Sequence, residues 1–356
     1  MESIFKDLKV IELASVLAGP AVGLFFAELG ADVIKIENKK TGGDVTRTWR
    51  LPSEDKTASV SAYYCAINWK KEVQFLDLST EEGKNAVYEL VKTADVVVAN
   101  YKKQSAQKLG MDYEHLKAIR PELIYANISG FGEESERVAF DVVLQAESGF
   151  MYMNGQADGP PTKMPVALID VLAAHQLKEG ILVALLQRYK TGQGAYVSVS
   201  LLEAAVASLA NQATNWLMGK HIPQRMGSLH PNIAPYGELF ETKDAKRLIL
   251  SIGSDRQFVN LCTCINRPDL LENENYQTNI ARVKHRVVLA KELSQTFKGL
   301  IAEDILERCH QKFVPIGQVR NMQEVFEQPT AQKMILEEEV DGLLTQRVRT
   351  AAFKIN

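Results

Sequence analysis

Residues 8–37 read LKVIELASVLAGPAVGLFFAELGADVIKIE and predict a strand, a helix and a second strand in succession. Residues 8–13 and 32–36 are rich in the β-branched side chains that favour strands. Between them, Pro20 suits the first turn of a helix, where its missing N–H costs nothing, and Gly30 suits the helix end. Two strands joined by a helix in this way form a βαβ unit, so we expect the strands to be parallel.

The same alternation continues to about residue 200. Further strands are predicted at 74–78, 95–99, 123–128 and 197–199. A capping box at residues 79–82 is expected to begin one helix, and Pro165 to begin another, long and apolar. Strands and helices that alternate in this order predict an α/β fold with a mostly parallel sheet.

A second, smaller α+β domain is predicted after a loop rich in glycine and proline at residues 218–235. It contains a strand at 248–252 and amphipathic helices near 256–265, 286–297 and 302–312. Residues 337–356 return to strand-like alternation and are expected to rejoin the first domain. The predicted division is a large domain over 1–200 and 326–356, a linker over 201–225, and a small domain over 226–325.

Composition excludes several classes of protein. The chain has 356 residues, 46% of them apolar, and 41 basic side chains balance 44 acidic ones, which argues against nucleic-acid binding. The N-terminus lacks the apolar core of a signal peptide, and the most apolar stretch, 166–186, contains charged residues that a membrane span would avoid. Four cysteines make no disulfide framework, and Cys262 and Cys264 lack further metal ligands at zinc spacing. We therefore expect a cytoplasmic protein without a metal.

Familiar cofactor motifs are absent from the sequence. Glu37 follows the second strand as the ribose-binding acid of a dinucleotide site would, but residues 14–20 lack the glycines that admit a pyrophosphate. The sequence contains no phosphate-binding P-loop, no Gly-x-Ser-x-Gly elbow and no His-Glu-x-x-His motif.

Asp170 is the carboxylate that stands out, because it lies in the apolar run MPVALIDVLAA at residues 164–174. Burial makes such a charge costly, and the nearby start of a helix offsets part of the cost. A carboxylate held in this way can act as a nucleophile or a base. The residues alone leave open whether Asp170 is functional or pairs with a neighbouring cation or loop.

Several short motifs extend the argument along the chain. In order, they are VIEL (10–13), AGP (18–20), LGADVIKIE (29–37), ADVVVANY (94–101), ISGFG (128–132), DGPP (158–161) ahead of Asp170, TGQG (191–194) and VPIG (314–317). Their order and spacing resemble family III CoA-transferases, the CaiB/BaiF-like group that includes formyl-CoA and carnitine CoA-transferases.

The resemblance implies a fold and a reaction. The fold would be a Rossmann-like large domain and a small domain, with linkers threaded through a second copy, so that an obligate homodimer forms as two interlocked rings. The reaction would move CoA from an acyl-CoA donor to a small carboxylic acid through an aspartyl-CoA thioester on Asp170. Coenzyme A would be a substrate, and no metal would take part.

The resemblance also implies a CoA site. Val16, Leu17 and Ala18 match the backbone that contacts the pantetheine arm. The other residues assigned to CoA, mostly to its adenosine-phosphate end, are Asn38, Asn68, Lys71, Asn100, Tyr101, Lys102, Lys108 and Phe131. Asn38 stands where many members have an arginine, and Lys39 or Lys40 would have to replace that charge. Leu17 replaces a glutamine of the oxalate-handling members, which indicates a less polar acyl group.

Two alternatives remain on the same fold. Related racemases and epimerases pair the aspartate with a histidine, but Phe140 occupies that position here, so the second base is missing. A non-catalytic CoA-binding homologue is favoured by Asn38, by the single glycine in the loop at 227–232, and by a C-terminus without the Gly-x-His-Thr tail of many members.

Overall fold

The computed structural model describes residues 4–355, which divide into two compact units. The first unit contains the chain up to Met151, Lys163–Pro223, and the residues from Lys333 onward. The second unit contains Tyr152–Thr162 and Gln224–Gln332. Relative to the predicted boundaries, residues 201–223 lie with the first unit and residues 152–162 with the second.

A six-stranded parallel sheet forms the centre of the first unit, and this confirms the predicted α/β class. Its strands are β1 (Lys9–Leu13), β2 (Asp32–Asn38), β3 (Glu72–Leu76), β4 (Val96–Ala99), β5 (Ile124–Ser129) and β6 (Ala195–Ser200). Their order in the sheet is β3-β2-β1-β4-β5-β6. The order reverses between β1 and β4, and in open α/β sheets ligands bind beside the carboxyl ends of the strands at this point.

Helices cover both faces of this sheet. The helices between residues 18 and 219 are α1 (Ala18–Glu28), α2 (Ala62–Cys65), α3 (Glu81–Val91), α4 (Lys103–Leu109), α5 (Tyr113–Ile119), α6 (Asp141–Glu147), α7 (Phe150–Met153), α8 (Leu168–Thr191), α9 (Leu201–Ala207) and α10 (Ala210–Gly219), with short 3₁₀ turns at Lys39–Thr41 and Val45–Thr48. The last two residues of α7 belong to the second unit, and α10 has no buried residue. Alternate residues of each strand enter opposite cores. Val96 and Val98 pack with α1 and α8, whereas Val97 and Ala99 pack with α3 and α5.

Most predicted elements lie within two residues of their observed bounds, and the differences have local causes. Gly30 follows α1 with φ of 94°, as expected of a helix-ending glycine. Thr80 alone caps α3 through the Gly83 N–H, so the predicted four-residue capping box is wrong. The prediction that Pro165 begins α8 is also wrong, because that helix begins at Leu168.

The second unit contains a three-stranded antiparallel sheet and seven helices among the described residues. The strands are β7 (Tyr236–Glu241), β8 (Arg247–Ser251) and β9 (Ile316–Gln318). The helices are α11 (Asp255–Cys264), α12 (Asp269–Glu272), α13 (Asn279–Lys284), α14 (Arg286–Phe297), α15 (Ala302–Gln311), α16 (Met322–Phe326) and α17 (Pro329–Gln332). The predicted strand and amphipathic helices of this region are confirmed to within one residue at either end.

The chain then returns to the first unit as an antiparallel hairpin, β10 (Ile335–Val340) and β11 (Leu343–Val348). In the part of the chain that the structure describes, no helix is both long and apolar enough to cross a membrane. Among residues 4–355, no three His, Cys, Asp or Glu side chains are placed to hold a metal ion.

Candidate active site

The turn between β1 and α1 lies where the strand order reverses, and its backbone is unusual. Val16 has a φ of 73°, a left-handed conformation that a β-branched residue rarely adopts. The Asn100 side chain holds the preceding residue, accepting from Ser15 N–H at 3.2 Å and donating to Ser15 O at 2.9 Å. Val16 N–H donates to the Asp44 carboxylate at 3.2 Å. A side chain that directly follows β4 and another from the loop after β2 therefore fix this turn.

Four buried charges lie beneath the turn. Lys35 Nζ contacts Glu12 at 2.9 Å, Asp44 at 3.1 Å and the Ala14 carbonyl oxygen at 2.8 Å. Lys71 Nζ contacts the other oxygen of Glu12 at 2.8 Å. Burial lowers the pKa of Lys71 to about 7, although the Glu12 charge opposes that shift. Pairing of each ion offsets the high cost of desolvating it.

This cluster includes two of the residues assigned to CoA by resemblance. Lys71 Nζ also donates to Pro20 O at 2.8 Å and to Asn68 Oδ1 at 2.9 Å, and Asn68 Nδ2 donates to Tyr64 O. The polar atoms of both side chains are thus engaged inside the protein. Contact between Lys71 and a phosphate would require that its buried ion pair with Glu12 be broken.

The first N–H groups of α1 have no hydrogen-bond partner in the described part of the chain. No hydrogen bond within residues 4–355 uses the N–H of Leu17, Ala18 or Gly19, and α1 has no side-chain cap and no acidic residue in its first turn. Uncapped N–H groups and the positive end of the helix dipole favour an oxygen that carries negative charge.

Asp170 lies in the first turn of α8 and is buried, with 9% of its surface exposed. Burial and the neighbouring Asp141 charge raise the pKa of Asp170 to about 7. None of the hydrogen bonds among the described residues involves its carboxylate. The expected desolvated carboxylate is therefore present, at the start of a helix whose partial charge favours the ionised form.

Asp141, which the sequence analysis did not single out, explains where α8 begins. Its Oδ1 accepts from Ile169 N–H at 2.7 Å and Asp170 N–H at 3.4 Å, so a side chain from α6 caps α8. Gln145 fixes Asp141 in turn, donating to Oδ2 at 2.5 Å. Asp141 thus positions Asp170 and makes its ionisation harder.

Tyr63 was also missed, since a single tyrosine in the short helix α2 carries no sequence signal. Its ring packs edge-on against Trp49, with centroids 5.2 Å apart. Burial and the charges of Asp170, Asp141 and Asp44 raise the pKa of Tyr63 to about 12. A hydroxyl that stays protonated therefore lies within electrostatic range of both Asp170 and the carboxylate that holds the Val16 turn.

For Asp44 the sequence does carry a signal, which is the pair of glycines directly before it. Gly42 and Gly43 have φ of 75° and 101°, and a Cβ on Gly43 would lie 2.2 Å from Glu37 Oε2. This tight turn returns the chain so that Asp44 reaches Lys35. Glu37 is itself engaged, accepting from Arg47 Nε at 2.7 Å and from Tyr64 OH at 2.7 Å. These contacts occupy the carboxylate that a dinucleotide site would need for ribose.

Of the remaining residues assigned to CoA, four line two cavities at the carboxyl edge of the sheet, whereas Phe131 and Lys108 line neither. One, of about 730 Å³, lies beside β1, β2 and β3 and includes Asn38 and Lys40. The other, of about 420 Å³, lies beside β4 and β5 and includes Asn100 and Lys102. Tyr101 lines both cavities.

Three basic side chains near these cavities have different surroundings. Lys102 Nζ donates to the Glu136 carbonyl oxygen. Arg137 lines the smaller cavity, and its guanidinium lies 3.7 Å from the centroid of the Phe131 ring. Lys108 is exposed near the end of α4 and lines neither cavity.

The loop with the single glycine belongs to the second unit, where its backbone is hydrogen-bonded. Gly227 N–H donates to Gly155 O at 2.8 Å, and Ser228 Oγ donates to Gly237 O at 2.6 Å. Phe140, the residue that replaces the histidine of racemases, precedes α6 and is 54% exposed. Its hydrocarbon ring cannot accept a proton, so the base missing from the sequence has no substitute at that position.

The order of the sheet, the free N–H groups at its switch point and a buried carboxylate at a helix start together define an α/β protein with a candidate ligand site. The sequence profile of CoA-transferase family III matches residues 5–355, and the chain belongs to that family. This confirms the resemblance carried by the motifs, and it makes the protein an enzyme of the transferase class that uses CoA thioesters.

Named relatives support the same family. A succinate–glutarate CoA-transferase from Agrobacterium fabrum is 40% identical, over 96% of this chain and 87% of the relative. A human succinyl-CoA:glutarate CoA-transferase is 34% identical, over 91% of this chain and 73% of the relative. The crystal structure of a CaiB/BaiF family protein from Brucella suis has a TM-score of 0.87 at 36% identity, covering 99% of this chain and 93% of that one.

Proposed function

We propose that this enzyme transfers CoA from an acyl-CoA donor to a carboxylic acid through an aspartyl-CoA thioester on Asp170. The observation that carries the proposal is the state of that side chain. Asp170 is a buried carboxylate at a helix start, and no hydrogen bond within the described part of the chain weakens its nucleophilicity. A dry site also protects an activated aspartate from hydrolysis.

The reaction proceeds through two pairs of acyl transfers. A carboxylate oxygen of Asp170 attacks the thioester carbon, the C–S bond breaks, and a mixed anhydride and CoA thiolate form. The thiolate then attacks the aspartyl carbonyl carbon, which releases the donor acid and leaves aspartyl-CoA. The acceptor carboxylate attacks this thioester and releases the thiolate again. Attack of the thiolate on the acceptor carbonyl of the second anhydride forms the new acyl-CoA and restores Asp170.

Each tetrahedral intermediate carries an oxyanion that needs hydrogen-bond donors. The free N–H groups of Leu17, Ala18 and Gly19 are suitable donors, and α1 packs directly on α8, the helix that carries Asp170. The Tyr63 hydroxyl is a further donor near Asp170, since its raised pKa keeps it protonated. These groups support the assignment of Val16, Leu17 and Ala18 to the thioester end of CoA.

The nucleotide end of CoA is assigned to the cavities on either side of Tyr101. Asn38 and Lys40 border one cavity, and Lys102 and Arg137 border the other, so cations are present beside an aromatic ring in both places. Asn100, Phe131 and Lys108 keep their proposed places around the ligand. Asn68 and Lys71 then act indirectly, because their buried hydrogen bonds support the turn after β1 and the start of α1.

The named relatives suggest the substrates. Both act on succinate or its CoA ester together with glutarate. Leu17 supports this choice, because an apolar side chain beside the acyl group suits the methylene chain of a dicarboxylate better than it suits oxalate. We therefore propose succinyl-CoA as donor and glutarate as acceptor.

A homodimer with interlocked subunits and a cytoplasmic location complete the proposal. Exposed apolar side chains on α8 and α10 support the dimer, among them Tyr189 with 90% of its surface exposed and Trp216 with 47%. The free cysteines support a reducing compartment.

Intact-mass spectrometry tests the proposed function. The enzyme is incubated with succinyl-CoA or acetyl-CoA and trapped with hydroxylamine, and glutaryl-CoA formation is followed in parallel. We expect an aspartyl hydroxamate on Asp170, no trapping in Asp170→Ala, and normal trapping in Asp32→Asn, an exposed aspartate at the amino end of β2.

Two other outcomes would select the alternatives. Tight CoA binding without any modification of Asp170 would identify a non-catalytic homologue. Loss of α-deuterium from a 2-methylacyl-CoA, without transfer of CoA, would identify a racemase.

A further inference from the structure

We propose that Asp44 is a positioning residue for this reaction. By holding Val16 in its left-handed conformation, Asp44 aims the N–H groups of residues 17–19 at the carbonyl oxygen of the acyl group. The inference rests on the proposed function, and it concerns a residue that does not itself touch the substrate.

The first observation is the strain at Val16. A β-branched residue at φ of 73° is held in an unfavourable region, and such conformations persist only where the surroundings fix them. Val16 immediately precedes the N–H groups that have no partner among the described residues. The residue under strain is therefore the one that sets their direction.

The second observation is the number of contacts that hold the turn. Lys35 holds Ala14 O, Asn100 holds both polar groups of Ser15, and Lys71 holds Pro20 O. Among the contacts that the structure describes, the strained residue itself is held only by Asp44, at 3.2 and 3.4 Å from Val16 N. Release of this one contact would leave the neighbours of Val16 fixed while Val16 returned to an extended conformation.

The third observation is how fully the Asp44 carboxylate is used. Its side chain is 1% exposed. Oδ1 accepts from Thr46 N–H at 3.0 Å and from Thr46 Oγ1 at 2.8 Å, and Oδ2 pairs with Lys35 at 3.1 Å. A simple cap for the short helix at Val45–Thr48 would need Oδ1 alone. The second oxygen, which faces Lys35 and the Val16 N–H, has no role in that cap.

The substitution Asp44→Asn tests the cap of Val45–Thr48 and the contact with Val16 separately, at nearly constant side-chain volume. If the amide oxygen of Asp44→Asn keeps the Thr46 contacts, its NH₂ group faces the Lys35 ammonium and the Val16 N–H, so donors oppose donors. If the amide is reversed, the NH₂ group faces the Thr46 donors instead. In both orientations a buried donor is left without an acceptor, and the Val16 N–H is the contact with the longest distance.

The test is a double-mutant cycle that combines Asp44→Asn with Val16→Gly, since glycine adopts positive φ without strain. kcat and KM are measured for succinyl-CoA and glutarate, and rates are divided by the number of active sites, counted as trapped hydroxamate. Crystal structures of both single variants report φ at residue 16. Glu28→Gln is the matched control, because it alters a buried, paired carboxylate at the far end of α1.

We expect Asp44→Asn to lower kcat by about 10²-fold with little change in KM, the size of effect seen when an oxyanion donor is lost. In the Val16→Gly background the same substitution should lower kcat by less than about threefold. Glu28→Gln should lower the melting temperature and leave kcat per active site unchanged. A merely structural role for Asp44 would leave kcat per active site unchanged in both backgrounds, and a loss of equal size in both would show that Asp44 acts independently of residue 16. Either result would overturn the proposal.

Failure of the proposed function can be distinguished from failure of the positioning role. If the wild-type enzyme forms no hydroxamate with either donor, the transfer reaction is wrong for this chain, and the structure of Asp44→Asn decides the positioning role alone. A residue 16 that remains left-handed in that variant would contradict the role of Asp44, and one that becomes extended would support it.

Discussion

Asp170, the proposed nucleophile, is a carboxylate whose ionisation is opposed by its surroundings. The largest cause is burial, and the Asp141 charge adds to it. A pKa near 7 means that about half of the carboxylates are protonated at neutral pH in the free enzyme, and a protonated carboxyl group cannot attack a thioester. Burial and the Asp141 charge therefore also predict how the rate depends on pH.

We expect kcat/KM for the acyl-CoA donor to fall as the pH is lowered through about 7, because kcat/KM reports the ionisation of the free enzyme. Asp141→Asn removes one of the two causes and keeps an oxygen that can cap α8, so the midpoint should move to lower pH. The measurement is the initial rate of transfer across the pH range for both enzymes. An unchanged midpoint in Asp141→Asn would show that the Asp141 charge does not act on Asp170.

The raised pKa also predicts a cost in stability. The folded protein binds this proton more tightly than the unfolded chain does, so no cost exists below the unfolded pKa of about 4. The cost grows as the pH rises and is complete above the folded pKa, where a change from 3.8 to about 7 corresponds to at most about 4 kcal/mol.

Asp170→Asn, which cannot ionise, should therefore melt several degrees higher than the wild-type enzyme at about pH 8, with the difference disappearing towards about pH 4. Thermal melts without CoA across that range provide the check. A difference that is constant with pH would assign the gain in stability to packing rather than to the charge.

At the residue scale, the sequence singled out the buried carboxylate of Asp170, the proposed nucleophile, but not its neighbours. An aspartate within an apolar helix is visible as a local pattern. Asp141, Tyr63 and Asp44 lie 29, 107 and 126 positions away in the chain by residue number, and only the fold brings them to one place. Lys71 illustrates the opposite case, since a lysine in a polar loop suggests a solvated charge, whereas here its ammonium is buried against Glu12.

Helix α1 is the element that joins the site to the rest of the first unit, and it is fixed at both ends. At its C-terminal end the buried Glu28 carboxylate pairs with Arg347 and accepts from Thr350 N–H at 2.9 Å and Ala351 N–H at 2.7 Å. The Arg347 guanidinium lies 5.1 Å from the Trp69 ring centroid. The segment after β11 is thereby attached to the helix whose other end presents the free N–H groups.

Glu28→Ala should destabilise the first unit strongly, because it leaves a buried arginine and two backbone donors without an acceptor. The loss of one partner from a buried ion pair costs about 3–5 kcal/mol, which we expect to lower the melting temperature by roughly 5–10 °C. Glu81→Ala is the matched control, because Glu81 is an 81% exposed side chain whose ion pair with Lys84 contributes less than about 1 kcal/mol. Equal effects of the two substitutions would contradict this account.

The sequence predicted which segments form strands and helices more accurately than it predicted where each one begins and ends. Hydrophobic alternation and glycine placement located the six parallel strands and Gly30 at the end of α1. The start of α8 was misplaced because its cap, Asp141, comes from another helix rather than from the adjacent sequence. A cap supplied across space leaves no signal next to the helix it stabilises.

For the whole molecule, the alternation of strands and helices along the chain predicts parallel strands but not their order in the sheet. The order β3-β2-β1-β4-β5-β6 places Asn100 at the end of β4 directly beside the turn after β1. The return of the chain as β10 and β11 is likewise a long-range feature, because its contacts with Glu28 join residues about 320 positions apart. Local sequence patterns do not give the strand order, and for the returning segment they give only the strand-like alternation of residues 337–356, not its contacts with Glu28.

The proposed interlocking of two copies predicts an unusual kinetic property. None of the residues of α10 is buried in the single chain, and its apolar side chains include Leu217 at 67% and Met218 at 82% exposure. A helix with this composition needs a covering surface, which a second copy would supply. In an ordinary dimer, dissociation allows subunits to exchange. Threaded chains cannot separate without unfolding, so exchange would be as slow as global unfolding.

We therefore expect tagged and untagged enzyme, mixed in native buffer, to remain as two parental dimers in native mass spectra after prolonged incubation. The same mixture, unfolded in denaturant and refolded together, should contain hybrid dimers in statistical proportion, which shows that the tag does not prevent pairing. Uniform ¹⁵N labelling of an untagged preparation provides a second mass label that tests whether the tag itself affects exchange. Hybrids that form in the native mixture would mean that the subunits pair without threading. A monomeric spectrum would instead show that the apolar surfaces of α8 and α10 are covered by something other than a second copy.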